Sequence, residues 1–168
     1  MRTRANGICV DDYLKEMHGV GPTVPIDIGS PAIYRSDYAG ENQTLLDFYN
    51  PANANGIITA IKYWIRFVWY PSDMKVGTFF LVGGSTYQCR DAVNIGVPIA
   101  GSEQTVAVTL AVLAGDFMGV FPGTWTDIAW AGPGHGAYQF GDQCIIGHQS
   151  TYYVGDAGQH ISLYGIGN

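Results

Sequence analysis

The chain has 168 residues, of which 47% are hydrophobic and only 13% are charged, and its net charge is −6. The negative charge excludes the electrostatic footprint of a nucleic-acid-binding protein, and the apolar runs are shorter than the ~20 residues that a membrane-spanning helix needs. Few charges, 23 glycines and 13% aromatic residues are instead typical of one all-β domain. Since soluble monomers expose little contiguous apolar surface, this composition also favours oligomerisation or incorporation into an assembly.

The first 25 residues differ from the rest of the chain and predict an N-terminal arm. Charged side chains within residues 11–16 occupy the place where a signal peptide needs an apolar stretch, so no secretory signal is predicted. Residues 10–18 predict a short helix that ends at Gly19, and an extended linker follows it. We expect the arm to contact either a neighbouring subunit or its own domain through three apolar side chains: Tyr13, Leu14 and Met17.

Residues 57–69 predict the central strand of the domain, because apolar side chains recur at every second position. Lys62 and Arg66 fall on the opposite, solvent-facing side. A polar turn at residues 70–73 then leads to a second strand over residues 76–82. The predicted apolar face consists of the odd positions: Ile57, Thr59, Ile61, Tyr63, Ile65, Phe67 and Trp69.

Short strands separated by turn-forming residues continue along the chain, which predicts an all-β antiparallel β-sandwich, jelly-roll-like, over residues 26–168. In residues 104–113 the valines and one leucine alternate with small or polar residues, as in a half-buried strand. The predicted strands are 32–35, 43–48, 57–69, 75–82, 86–92, 104–113, 117–121, 127–131, 138–140, 143–147, 151–154 and 160–164.

The three cysteines, Cys9, Cys89 and Cys144, have no metal-binding spacing. They predict buried free thiols, or one disulfide that ties the arm to the sandwich and one free thiol. The four histidines are likewise far apart and show no pattern typical of zinc.

Several acidic residues fall close together in the first part of the domain. Asp27, Asp37 and Asp47 are candidate ligands for calcium, the one cofactor that the sequence suggests, because hard cations prefer carboxylate oxygens. Solvated acids in loops are the alternative interpretation.

Arg35, Arg90 and Asp91 predict an ion pair at one end of the sandwich.

Aromatic residues are concentrated in the glycine-rich last third of the chain. Trp125, Trp130 and Tyr138 are candidates for a platform on which sugar rings stack. The alternative is that these side chains fill the core or a subunit interface, where tyrosine and tryptophan are enriched.

Several segments within residues 26–125 resemble β-sandwich, jelly-roll-like domains that recur in phage structural proteins and in proteins of uncultivated microbes. The resemblance implies a structural or surface-binding role and brings no catalytic residues. The residues that carry it are 26–30, Arg35, 50–58, 75–80, 89–91 and 114–120.

These observations favour a non-enzymatic structural subunit that self-assembles, in a phage or virus particle or in an extracellular filament. Its partners are then further copies of itself or other structural proteins, with no nucleic acid and no membrane. The alternative is a carbohydrate-binding module or the receptor-recognition domain of a fibre, with a glycan as partner. A sandwich-fold hydrolase or lyase would instead need acids and a histidine or tyrosine converging in one cleft.

Overall fold

The fold was determined as a computed structural model that describes residues 24–131, 136–155 and 160–168. Within these residues the chain forms strands and no helix, and all paired strands are antiparallel. The predicted N-terminal helix and the arm residues Tyr13, Leu14 and Met17 lie outside the described residues. The strands are β1 (Ile26–Gly29), β2 (Asp37–Ala39), β3 (Gln43–Asp47), β4 (Gly56–Val68), β5 (Met74–Gly83), β6 (Thr86–Gly96), β7 (Glu103–Val112), β8 (Phe117–Phe121), β9 (Thr126–Ala131), β10 (Gly136–Phe140), β11 (Gln149–Thr151), β12 (Tyr153–Gly155), β13 (His160–Ile161) and β14 (Leu163–Gly167).

The first sheet is built around β4, the longest strand. Its first part pairs with β7 on one side and with β14 on the other, and β1 adds to β14. Its last part pairs with β9, which in turn pairs with β2 and β13. The last residues of β4 therefore lie beside β9 and near β2, although both strands are distant from them in sequence.

The second sheet has the order β11-β6-β5-β8-β3-β10-β12. Side chains from both sheets share one fully buried core, in which Ile58 and Ile61 of β4 meet Val76 of β5 and Met118 and Val120 of β8. Two antiparallel sheets around one core confirm the all-β prediction and fit a sandwich.

The predicted apolar face of β4 is wrong at the start of that strand, because the strand contains a β-bulge. The pairing of β4 with β7 and β14 skips Thr59, so the side chains before and after it change sides. Ile58 is buried and Ile57 is exposed, whereas Ile61, Tyr63 and Ile65 follow the predicted odd positions. Because one inserted residue inverts a period of two, the prediction was wrong before the bulge and correct from Ile61 to Ile65, whereas Trp69 is exposed.

Two predicted strands are loops. Residues 32–35 form a connection between β1 and β2, where the Ser162 hydroxyl donates a hydrogen bond to the Ile33 carbonyl at 2.6 Å. Residues 143–147 form tight turns in which the Cys144 N–H donates to the Asp142 carboxylate at 2.9 Å. These two side-chain bonds, one between distant residues and one local, satisfy backbone groups that have no sheet partner.

The predicted ion pair at the sandwich end has a different acidic member. Arg90 binds the buried carboxylate of Asp116 through two hydrogen bonds, and its guanidinium lies 4.5 Å from the ring centroid of Phe80. Asp91 accepts the backbone N–H groups of Ala92 and Ala111 instead, and Arg35 donates to the Ser162 hydroxyl at 2.9 Å. Asp91 thereby ties β6 to β7, across the two sheets.

Cys89 and Cys144 are both buried free thiols, as the first of the two predicted arrangements has them, and Cys9 lies outside the described residues. Burial raises the pKa of the Cys89 thiol to about 12, and it also raises the pKa of Cys144. Thiols in this state are poor nucleophiles, so they act as small apolar side chains of a second buried cluster, which also contains Leu46 and Phe79.

Candidate functional site

An open pocket of about 360 Å³ lies where the end of β4 meets β9 and β2. Four aromatic side chains and two carboxylates line it, and we call this set the aromatic pocket: Tyr38, Trp69, Tyr70, Trp125, Glu41 and Asp127. The aromatic residues are 52%, 62%, 66% and 49% exposed, in that order. Large aromatic side chains grouped in this way on a surface mark a binding site more often than they mark a fold requirement.

The strand pairing explains how residues distant in sequence come together. Val68 is the last residue of β4 and pairs with Thr126, the first residue of β9. The residues just outside this pair, Trp69 and Trp125, remain joined by a backbone hydrogen bond of 2.9 Å from the Trp69 N–H to the Trp125 carbonyl. Two tryptophans therefore leave the sheet at the same point, and the Tyr70 ring lies edge-on to Trp125 at 6.3 Å.

Trp125 has a positive φ of 62°, a conformation that a large L-residue rarely adopts. The preceding turn supports it, because the Ser72 hydroxyl donates to the Thr124 carbonyl at 2.9 Å. Strained backbone of this type costs on the order of 1–3 kcal/mol and is concentrated at functional sites. This backbone conformation sets the direction in which the Trp125 side chain leaves the sheet.

The two carboxylates of the aromatic pocket differ in their environment. Asp127 is only 5% exposed, and the Trp69 indole N–H donates to its Oδ2 at 3.2 Å. Burial raises the pKa of Asp127, and the nearby charge of Glu41 raises it further, against the hydrogen bond from Trp69. Glu41 itself is exposed and follows β2 in the chain. The pocket thus combines aromatic faces with one exposed and one buried hydrogen-bond acceptor.

The aromatic surface extends beyond the pocket and already holds a cation. The Arg66 guanidinium carbon lies 4.8, 5.8 and 5.1 Å from the ring centroids of Tyr34, Tyr38 and Phe67. Its Nη1 also donates to the carbonyls of Arg35 and Ser36. Cations within about 6 Å of a ring centroid are attracted by the negative face of the ring.

Only one of the three sequence-predicted sugar-binding residues lies in the aromatic pocket. Trp125 does, whereas Trp130 and Tyr138 are partly buried, pack against the main core and line a separate cavity of about 10 Å³. A cavity of that size holds about one water molecule and no sugar ring. The three residues therefore do not form one platform, and Tyr138 stacks on Tyr153 instead, at 5.3 Å.

The structure does not bring the predicted calcium ligands together. Asp27 accepts a hydrogen bond of 3.0 Å from the Asn50 amide, Asp37 lies exposed in β2 opposite Trp130, and Asp47 is completely buried at the end of β3. Within the described parts of the chain, no three histidine, cysteine, aspartate or glutamate side chains form a group that could hold a metal ion.

A serine, a histidine and an aspartate do meet near the start of the domain. The Ser30 hydroxyl lies 3.2 Å from His160 Nδ1, and the pKa of Asp47 is influenced by both residues. Ser30 and Asp47 are completely buried, however, so a substrate has no access to the hydroxyl. We interpret this group as a largely buried polar network that joins the residue after β1 to β3 and β13.

None of the segments that the structure describes forms a helix long and apolar enough to cross a membrane. Comparisons of the chain with protein families, with curated proteins and with solved structures found no match.

Proposed function

We propose that the chain is a non-enzymatic carbohydrate-binding domain whose ligand stacks in the aromatic pocket. The observation that carries this proposal is the convergence of four exposed aromatic rings and two carboxylates around one pocket. Aromatic faces pack against the apolar faces of sugar rings, while carboxylate oxygens accept hydrogen bonds from sugar hydroxyls. A volume of about 360 Å³ also falls in the usual range for ligand pockets.

The position of the pocket supports a role in recognition. It lies at the end of β4, in connections that join the strands of a rigid sheet, where binding residues of β-domains commonly lie. A jelly-roll-like connectivity and a place at the receptor-binding tip of a fibre are part of this proposal. We propose that such a tip acts in a virion or in an extracellular assembly.

A glycan array with the full chain, followed by calorimetric titration of the retained glycan, tests the proposal. We expect Tyr70→Ala and Trp125→Ala each to weaken binding by about tenfold or more, since truncation of a central aromatic contact typically costs that much. Phe140→Ala is the matched control, because Phe140 is 59% exposed but lies in β10 of the other sheet. Equal losses in all three variants, or no retained glycan, would contradict the proposal.

Mass spectrometry of the glycan after incubation with the protein separates binding from turnover. We expect the glycan to be recovered intact. Shortened products that disappear in Asp127→Asn would show instead that the two carboxylates act as a hydrolytic pair.

Self-assembly as a structural subunit is the second candidate function, and it is compatible with the first. It is favoured by exposed apolar side chains at the end of the second sheet, where Phe140, Tyr153 and Val154 are all at least half exposed. Among the described strands, β12 pairs with β10 alone and therefore leaves one edge open. Open apolar edges pair readily with strands of other copies.

A further inference from the structure

We infer that the aromatic pocket takes a sugar with a protonated amino group, such as a glucosamine unit, in preference to a neutral or acidic sugar. This inference rests on the proposed function and names the ligand class of the same site. It follows from the charge of the pocket, from the aromatic faces around that charge, and from the match between ammonium donors and carboxylate acceptors.

The charge of the pocket lining is negative, and no cationic side chain of the described residues belongs to that lining, although Arg66 lies over Tyr38 beside it. Its lining contains Glu41 and Asp127 but no lysine, arginine or histidine. The ion pairs within the described residues are Lys62–Glu103, Lys75–Asp142 and Arg90–Asp116, and none of them includes either carboxylate. Since Asp127 is almost completely buried, an ammonium group near it would interact through less water than at an open surface.

The aromatic faces also favour a cation. Tyr38, Trp69, Tyr70 and Trp125 surround the two carboxylates, and the negative faces of such rings attract ammonium groups. Arg66 shows that this surface accepts a positive charge, because its guanidinium already lies over Tyr34, Tyr38 and Phe67 next to the pocket. An acidic sugar would meet the same rings and carboxylates with the wrong sign of charge.

Charge separates an amino sugar from its N-acetylated form. An ammonium group donates three hydrogen bonds, which match the acceptor oxygens of Glu41 and Asp127. An acetamido group is neutral, so it gains neither charge-assisted hydrogen bonds to these carboxylates nor the attraction of the ring faces for a cation. The pocket therefore favours the ammonium group over the acetamido group.

The experiment compares two probes on the full chain by isothermal titration: a β-1,4-linked glucosamine oligomer and the N-acetylglucosamine oligomer of equal length. We expect the glucosamine oligomer to bind about tenfold more tightly at neutral pH, because charge-assisted hydrogen bonds are roughly twice as strong as neutral ones. Added salt should reduce this preference. Glu41→Gln should remove most of it, and this exposed residue can be changed without disturbing the core.

Glu103→Gln is the control with the same change of charge, since Glu103 lies in β7 and pairs with Lys62 outside the aromatic pocket. Asp127→Asn is a second test, accepted only if its thermal unfolding is unchanged. Equal affinities for the two oligomers, or a preference that Glu41→Gln leaves intact, would overturn the inference while leaving carbohydrate binding in place. If neither oligomer nor any glycan on the array binds, the proposed function itself fails.

Discussion

At the scale of single residues, the buried carboxyl of Asp47 makes the stability of the domain depend on pH. Asp47 is completely buried and accepts the Tyr49 backbone N–H at 2.8 Å. Burial raises the pKa of Asp47, and this effect outweighs the opposing contributions of Ser30, Tyr49, His160 and Arg35. The folded state therefore binds a proton more readily than the unfolded state between the ordinary pKa of aspartate and the raised one.

The sign of this dependence gives the first prediction. As the pH rises from the ordinary pKa through the raised pKa, the buried group loses its proton at a cost, so the free energy of unfolding falls. Asp47→Asn keeps the acceptor oxygen but carries no charge, so we expect it to stabilise the protein at neutral pH by about 1 kcal/mol. The gain should vanish in acid, below the ordinary pKa. Urea titrations at several pH values measure both effects.

Asp37→Asn is the control for this prediction, because it removes the same charge from an exposed position in β2. We expect it to change the free energy of unfolding by less than about 0.5 kcal/mol at any of these pH values. A loss of stability in Asp47→Asn at neutral pH would mean that its charge is needed by Arg35 and His160.

At the scale of elements, close packing in the second sheet depends on two glycines. Gly119 of β8 pairs with Gly77 of β5, and the Phe79 ring lies over them. A Cβ atom at residue 119 would lie 2.4 Å from a Phe79 ring carbon and 2.6 Å from a Leu46 methyl carbon. Both neighbours are fully buried, so neither can move away freely.

We therefore expect Gly119→Ala to lower the free energy of unfolding by about 1–3 kcal/mol, the usual cost of overpacking a core. The matched control is Gly83→Ala at the end of β5, where an added Cβ meets no atom within 4 Å. That variant should change stability by no more than about 0.5 kcal/mol. Denaturant midpoints of the two variants check the difference, and equal midpoints would show that the sheet relaxes around residue 119.

The same scale shows how far the sequence determines the fold. Alternation of period two predicts β4 and β7 correctly, because each has one face on the core. It does not predict the bulge at Thr59, since skipping a residue depends on partners that are distant in sequence. β1 was missed because it is only four residues long and its pairing with β14 joins distant parts of the chain.

The sequence predicts only those residues of the aromatic pocket that stand out in their local sequence. Trp125 was identified because aromatic residues are concentrated in the glycine-rich last third of the chain. Trp69 continues the alternation of β4 and was assigned to the buried face, yet the strand ends one residue earlier and leaves it exposed. Tyr38 and Glu41 join the pocket through the pairing of β2 with β9, which local sequence does not indicate.

At the scale of the whole molecule, low charge and exposed apolar side chains favour self-association. The aromatic pocket lies on the first sheet, whereas Phe140 and Tyr153 form an apolar surface on the second. Tyr138 joins this surface, because its ring stacks on Tyr153 and lies edge-on to Phe140. An assembly through the second sheet would therefore leave the aromatic pocket open to a ligand.

Light scattering tests this arrangement. We expect the full chain at micromolar concentration to have a mass several times the 18.1 kDa of one copy. Val154→Lys places a charge on the open strand β12 and should reduce the mass to that of a monomer, as charged residues on edge strands do in natural sheets. A chain that begins at residue 26 tests whether the N-terminal arm, rather than the open edge of β12, joins the copies. If the shortened chain is monomeric while Val154→Lys stays assembled, residues 1–25 hold the copies together. A monomeric full chain would contradict the structural-subunit function and leave glycan recognition by a single domain.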